Sequence, residues 1–165
     1  MQIRTATEAD IPLLRDLAQR IWRECYPGII TPEQIEFMLG WMYSEDEIRR
    51  QLAAKIPWGI AMLDGTPVGY LSWQLDDDGR VKISKLYVLP QHQRRGLGAR
   101  MLDHICTCAR AVGAHALWMQ VNKRNERAIG AYLKAGFHLE KKAMFDIGGG
   151  FVMDDYLMAR SVNQS

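Results

Sequence analysis

The chain has 165 residues, 48% of them hydrophobic, and carries 21 Lys and Arg against 19 Asp and Glu, a formal net charge of +2. That length suits one compact domain over 1–165 with a real core, leaves no room for a second catalytic domain, and is too weakly basic to bind along a nucleic acid by bulk charge. The opening "MQIRTATEAD" is charged where a signal peptide needs an apolar run, and no stretch reaches the ~18 apolar residues of a membrane span, so a cytoplasmic protein without membrane contact is expected.

In chain order, residues 1–6 read as a short strand. In "DIPLLRDLAQRIW", Ile11, Leu14, Leu17, Ala18 and Ile21 recur at helical spacing behind Asp10 as N-cap, with Pro12 tolerated in the first turn. "YPGIITPEQ" is a Pro and Gly loop; Ile35, Met38, Leu39 and Met42 then mark a second short helix, and a third opens at "SEDEIRRQL", where Ser44 and Glu47 form a capping box. The period changes to two in "WGIAMLD", "TPVGYLSWQLD" and "RVKISKLYVL", three strands joined by Asp64-Gly65 and "DDDG" into an antiparallel meander.

A helix over about 96–112, stopped by Gly113, leads to the strand "HALWMQV". Joining the strands at 81–88 and 115–121 through that helix predicts a right-handed crossover and a parallel pair. On the same helix Cys108 falls on an apolar face with Met101, Leu102, Ile105, Ala109 and Val112 and reads as a small hydrophobe; its i, i+4 neighbour His104 offers no third ligand, so no metal is expected. Cys25, Cys106 and Cys108 also lack the paired spacings of a disulfide framework. The helix "NERAIGAYLKA" and the strands "FHLEKKAMFDI" and "FVMDDYLMAR" complete an α/β (α+β mixed) fold whose mixed, mostly antiparallel sheet has seven strands flanked by four or five helices, and "SVNQS" reads as a loose tail.

The junction at "QRRGLG" carries the strongest chemical signal. A helix N-terminus offers unpaired backbone N–H groups and partial positive charge; Gly96 and Gly98 allow close approach and positive φ, and Arg94, Arg95 and Arg100 add cationic side chains. The physical content is a pyrophosphate cradle. A dinucleotide fingerprint would need Gly at 101, where Met101 stands, and a nucleotide P-loop occurs nowhere, so neither NAD nor ATP is supported.

"Q93-R94-R95-G96-L97-G98", preceded by "LYVLP", resembles the Q/R-x-x-G-x-G/A signature of the GNAT superfamily of N-acetyltransferases, and "NERAIGAYLKAGF" is similar to that family's N-x-x-A-x-x-x-Y-x-x-x-G-F segment. The resemblance implies a splayed GNAT-like sheet, with acceptor-shaping helices over about 8–55, an acetyl-CoA-binding core over about 81–137 and C-terminal strands over about 137–160. It implies acetyl-CoA as donor, its pyrophosphate on the backbone amides of Arg95, Gly96, Leu97, Gly98, Ala99 and Arg100, with Gln93 and Arg94 among the cofactor-binding residues, and its pantetheine paired with the main chain of Leu86, Tyr87 and Val88. Asn125 and Ala128 belong to the second segment, with Tyr132 as the acid that protonates the leaving thiolate.

A carboxylate is absent from "KISKLYV", so a water chain ending at Glu24 or Tyr26 is expected to take the amine proton. Trp22, Tyr26, Met38, Trp41, Tyr43 and Trp73 are candidates for the acceptor pocket, with Asp154 or Asp155 attracting a cationic amine and the Asp76–Asp78 run serving as a hairpin turn. Only one of the adjacent aspartates can face a pocket, because neighbouring strand residues point to opposite faces. The implied activity is acetyl transfer by direct attack in a ternary complex, with a small amine or an exposed protein amine as acceptor and a polyamine among the former. A noncatalytic acyl-CoA-binding module is the alternative from another class, and a homodimer is left open.

Overall fold

The computed structural model describes residues 1–163. The chain forms β1 (Gln2–Thr5), α1 (Ile11–Cys25), α2 (Pro32–Met42), α3 (Glu45–Ala53), β2 (Trp58–Leu63), β3 (Thr66–Leu75), β4 (Arg80–Val88), α4 (Leu97–Ala111), β5 (Ala116–Asn122), α5 (Glu126–Lys134), β6 (His138–Gly148) and β7 (Phe151–Ser161). Short 3-10 turns at Glu8–Asp10 and Pro90–His92 precede α1 and α4. The seven strands follow the order β1-β2-β3-β4-β5-β7-β6, antiparallel in the pairs β1–β2, β2–β3, β5–β7 and β6–β7 and parallel between β4 and β5. This is the mixed, mostly antiparallel seven-stranded sheet that is expected, and its five helices fall within the expected four or five.

The chain divides into two compact units, one made of Met1–Gln74 with Lys85–His104, the other of Leu75–Ser84 with residues from Ile105 onward. In the first, α1 packs on α2 and α3 and buries Leu14, Leu17, Ala18, Ile21 and Trp22; β2 and β3 bury Trp58, Ile60, Val68 and Tyr70. In the second, β5 alternates buried Leu117, Met119 and Val121 with half-buried neighbours, the period-two signature of a strand with one covered face. The recorded β4–β5 ladder runs Arg80↔Ala116, Val81↔Leu117, Lys82↔Trp118 and ends there, although both strands continue.

Local chemistry explains most boundaries and corrects several expectations. Asp10 does precede α1, but its carboxylate turns backward to the Thr7 N–H (2.8 Å) and the Arg4 guanidinium (2.7 and 2.9 Å) instead of capping the helix. Helix α2 starts inside the expected loop, because Thr31 accepts the Gln34 N–H (3.1 Å) and Pro32 fits the first turn. Ser44 accepts the Glu47 N–H (3.1 Å) as expected, whereas the Glu47 carboxylate goes to Arg50 and Gln51, so only the forward half of the capping box forms.

On α4 the covered positions are Met101, Leu102, Ile105, Cys106 and Ala109; Cys108 is half-buried and Val112 exposed, so Cys106 is the packed thiol. Nor is the start of "SVNQS" loose. Ser161 pairs with Ala116 in the antiparallel register of β7 on β5. The buried Val162 donates its N–H to His115 O (3.2 Å), and Arg110 Nη2 donates to Val162 O (2.6 Å); residues 164–165 lie outside the described residues.

Arg160 ties β7 to the end of α5. Its Nη1 donates to Ala135 O (2.9 Å), the C-cap carbonyl of α5, its Nε donates to Ser161 O (3.1 Å), and its guanidinium lies 5.8 Å from the Phe137 ring centroid. Arg160→Met keeps the stem and removes the donors, which is expected to lower stability by about 1–3 kcal/mol. Urea unfolding checks this: the midpoint should fall with an unchanged m-value.

Candidate active site

In the first unit, Pro90–His92 and Gln93 turn the chain from β4 into α4. Gln93 Nε2 donates to Val88 O (3.0 Å) and approaches Cys25 Sγ (3.6 Å), so it fastens the turn to the strand end and to the end of α1. Arg94 (φ 63°) and Gly96 (φ 74°) both take the left-handed conformation, and Arg100 N bonds Gly96 O (3.1 Å) as the first closed helical bond. Gly96 is therefore the N-cap of α4. Gly98 has ordinary helical backbone, so its glycine is not required by φ; a Cβ at Gly96 or at Gly98 would meet nothing within 4 Å.

That cap differs in kind from those of three other helices. Thr31, Ser44 and Asn125 each accept a first-turn N–H with a side-chain oxygen, and α2, α3 and α5 each carry an acidic residue in the first turn. Gly96 has no such oxygen, and the first turn of α4 contains no acid. Exposed Arg94, Arg95 and Arg100 surround this uncompensated terminus. Anionic oxygens fit it on two counts, free amide donors and positive partial charge. Leu86, Tyr87 and Val88 precede it, half-buried on β4, and Leu97 and Ala99 belong to the first turn itself.

The aromatic candidates separate by depth. Trp22, Tyr43 and Met38 lie in the core. Trp22 Nε1 donates to Tyr43 Oη (3.3 Å), Tyr70 Oη donates to Tyr43 Oη (2.8 Å), and burial pushes both phenols well above their ordinary value, so they stay neutral. Tyr26 stacks on Trp22 at 4.3 Å, and its hydroxyl lies 3.2 Å from that of Tyr87, both half-buried. Trp73 is half-buried; Glu24 and Trp41 are exposed. Sequence reasoning missed the side chains of Tyr70 and Tyr87 and the buried Lys85, whose Nζ lies 4.7 Å from the Trp58 ring centroid. The signal available was their place on one run of β3 and β4, since buried strand tyrosines need hydroxyl partners.

In the second unit, Asn125 Oδ1 accepts the Ala128 N–H (3.3 Å) and starts α5. Tyr132 is half-buried on that helix, its ring edge-on to Phe137 at 5.8 Å, while Leu133 faces outward. Asp76 accepts Trp118 Nε1 (2.6 Å) and Asp78 accepts the Arg80 N–H (3.0 Å), which gives the triple-Asp turn structural work. The two strand aspartates differ sharply. Asp154 pairs with Lys123 Nζ (2.5 Å). Asp155 is 2% exposed, pairs in register with Asn122, and its carboxylate takes no hydrogen bond or ion pair among the described residues.

Burial foremost, then the charge of Asp154, pushes the Asp155 carboxyl up to about 6, with Lys82 and Lys123 opposing. An acid whose pKa rises on folding is harmless below its ordinary value of 3.8, destabilises increasingly as pH rises from there, and exerts its full effect above about 6. Asp155→Asn should therefore be more stable than the parent by about 1–3 kcal/mol at neutral pH, an advantage that fades as the solution is acidified towards pH 4. Thermal unfolding from pH 4 to 8 checks this; a variant equally or less stable at neutral pH contradicts it.

Comparison with known proteins agrees with this arrangement. Residues 14–137 match the Acetyltransferase (GNAT) family. An uncharacterized N-acetyltransferase of Mycobacterium tuberculosis is 35% identical over 157 residues, covering 94% of this chain and 99% of the relative. The spermidine N(1)-acetyltransferase of Thermoplasma acidophilum is 23% identical over 159 residues, covering 93% and 96%. Among solved structures, the PaiA N-acetyltransferase of Thermoplasma acidophilum in complex with coenzyme A superposes with a TM-score of 0.84 at 22% identity, covering 97% of this chain and 98% of that one. On that likeness, and with the α4 terminus left open to an anion, the chain belongs to the GNAT family and is an acetyl-CoA-dependent N-acetyltransferase acting on a primary amine.

Proposed function

We propose that the acceptor is a small polycationic amine of the spermidine type, one ammonium of which is recognised by Asp155. The observation that carries this reading is the buried carboxylate without a partner: such a group costs folding free energy, and an ammonium supplies the charge and the donors it lacks. Asp154 is already neutralised by Lys123. The likeness to a spermidine N(1)-acetyltransferase over nearly the whole chain supports the same class.

Bound acetyl-CoA supplies the thioester carbonyl that the amine attacks. On the donor side, the N–H groups of Leu97, Gly98 and Ala99 with Arg94, Arg95 and Arg100 hold the pyrophosphate, and the main chain of Leu86, Tyr87 and Val88 pairs with the pantetheine amides. The C–N bond forms as the C–S bond breaks; the attacking nitrogen releases its proton to water, and Tyr132 Oη gives one to the departing thiolate. Asn125 holds the start of the helix that carries Tyr132. Tyr26 and Glu24 end the water path that drains the amine proton.

Thiol release measured over a panel of polyamines, amino acids, aminoglycosides and N-terminal peptides tests the acceptor. Spermidine or a related diamine should be acetylated in preference to monoamines and peptides. Asp155→Asn should raise its KM about 10- to 100-fold, as expected when a charge-assisted hydrogen bond is lost, while Asp154→Asn leaves it nearly unchanged. Preference for a peptide N-terminus, or parental KM in both variants, would move the acceptor class to exposed protein amines.

A further inference from the structure

The second half of β4 is held from several sides, and one of the holders has no side chain. A Cβ built on Gly69, inside β3, would collide with the main-chain oxygen of Tyr87 and stand 3.3 Å from the Tyr87 carbonyl carbon and from Val88 Cα. Gly69 has no left-handed φ, so the glycine answers a demand for space rather than for conformation. The adjacent residue contributes a bond, since Leu89 N donates to Val68 O (2.8 Å). On the next carbonyl, Gln93 Nε2 donates to Val88 O (3.0 Å), and the Tyr87 hydroxyl meets that of Tyr26.

We infer that Gly69 is a positioning residue for acetyl transfer: by letting β3 close onto β4 it fixes where the main chain of Tyr87 and Val88 stands. The inference rests on the reading above, in which that main chain holds the donor beside its thioester. A neighbouring glycine provides the contrast. A Cβ at Gly59 on β2 would also be crowded, but by side-chain ends, Ile3 Cγ2 at 2.9 Å and Leu71 Cδ1 at 3.0 Å, which can rotate away. A carbonyl oxygen in a strand cannot do so without moving the strand. An alanine at 69 therefore displaces Tyr87 and Val88, whereas one at 59 is absorbed by the packing.

The effect expected is on the chemical step. Pyrophosphate binding at α4 is untouched, so most of the coenzyme A affinity is kept even though the pantetheine contacts shift, while a displaced thioester is poorly aligned for attack and kcat at saturating acetyl-CoA should fall at least about 10-fold, more than the affinity does. The experiment compares Gly69→Ala with Gly59→Ala for melting temperature, coenzyme A affinity by calorimetry, and kcat and acceptor KM by thiol release. A selective loss of kcat in Gly69→Ala, with Gly59→Ala within about twofold of the parent, is the expected result. Equal kcat in the two variants, or a fall in kcat that merely follows lost stability, overturns the inference.

Should Gly69→Ala fail to fold, Gln93→Met releases the same segment from the other side. Because Gln93 also belongs to the cradle, kcat is read at saturating acetyl-CoA: a lower kcat there supports the clamp, and an unchanged kcat refutes it. A parent that binds coenzyme A yet fails to turn over acetyl-CoA with any amine would instead overturn the donor reading and this inference with it.

Discussion

A helix must dispose of the N–H groups of its first turn, and α4 does so unlike three other helices of this chain. Thr31, Ser44 and Asn125 cap theirs with side-chain oxygens; Gly96 offers none, and no acid stands in the turn it opens. In the proposed mechanism these donors are left for the pyrophosphate. Once that terminus is reserved for an anion, much else follows. Arg94, Arg95 and Arg100 need to be near it and exposed, the turn entering the helix needs left-handed residues at 94 and 96, and β4 must deliver the chain to that spot in a fixed position.

Buried polar groups show the same division between what is satisfied and what is withheld. Tyr43 and Tyr70 are as deeply buried as any side chain here, but they bond each other and Trp22, and they behave as core. Lys85 sits over the rings of Trp58 and Tyr43. Asp155 is buried to the same degree and receives no comparable compensation. Folding tolerates this because the deficit of one carboxylate is small beside the burial of a whole sheet face.

Much of the fold was legible in local patterns. Seven strands and five helices could be read from the change between periods of 3.6 and 2, and the Asp64-Gly65 turn, with φ of 50° and 79°, has the conformation those two residues favour. The cradle was legible because its residues are contiguous. Errors arose where a short polar side chain had two uses: Asp10 turned back to Arg4, Thr31 capped a helix inside an apparent loop, and Glu47 chose Arg50. Depth was the hardest quantity to read. Trp22 and Tyr26 lie four residues apart on one helical stripe, yet only Trp22 is in the core, since the difference depends on what covers the end of α1. Gly69 was invisible for a related reason: its neighbour is a carbonyl on the following strand, at Tyr87, far outside any local pattern.

The claim on which the rest depends is that the α4 terminus grips the pyrophosphate. Calorimetric titration of acetyl-CoA and of acetyl-pantetheine, which carries the same thioester and amides without the pyrophosphate, isolates that grip in the parent and in Gly98→Val, where a side chain would occupy the open space. Acetyl-CoA should bind the parent at least about 100-fold more tightly than acetyl-pantetheine, as several charge-assisted hydrogen bonds imply, and the substitution should remove most of that difference while leaving acetyl-pantetheine nearly unaffected. Equal affinities for the two donors in the parent, or an undiminished preference for acetyl-CoA in a folded Gly98→Val, would contradict it.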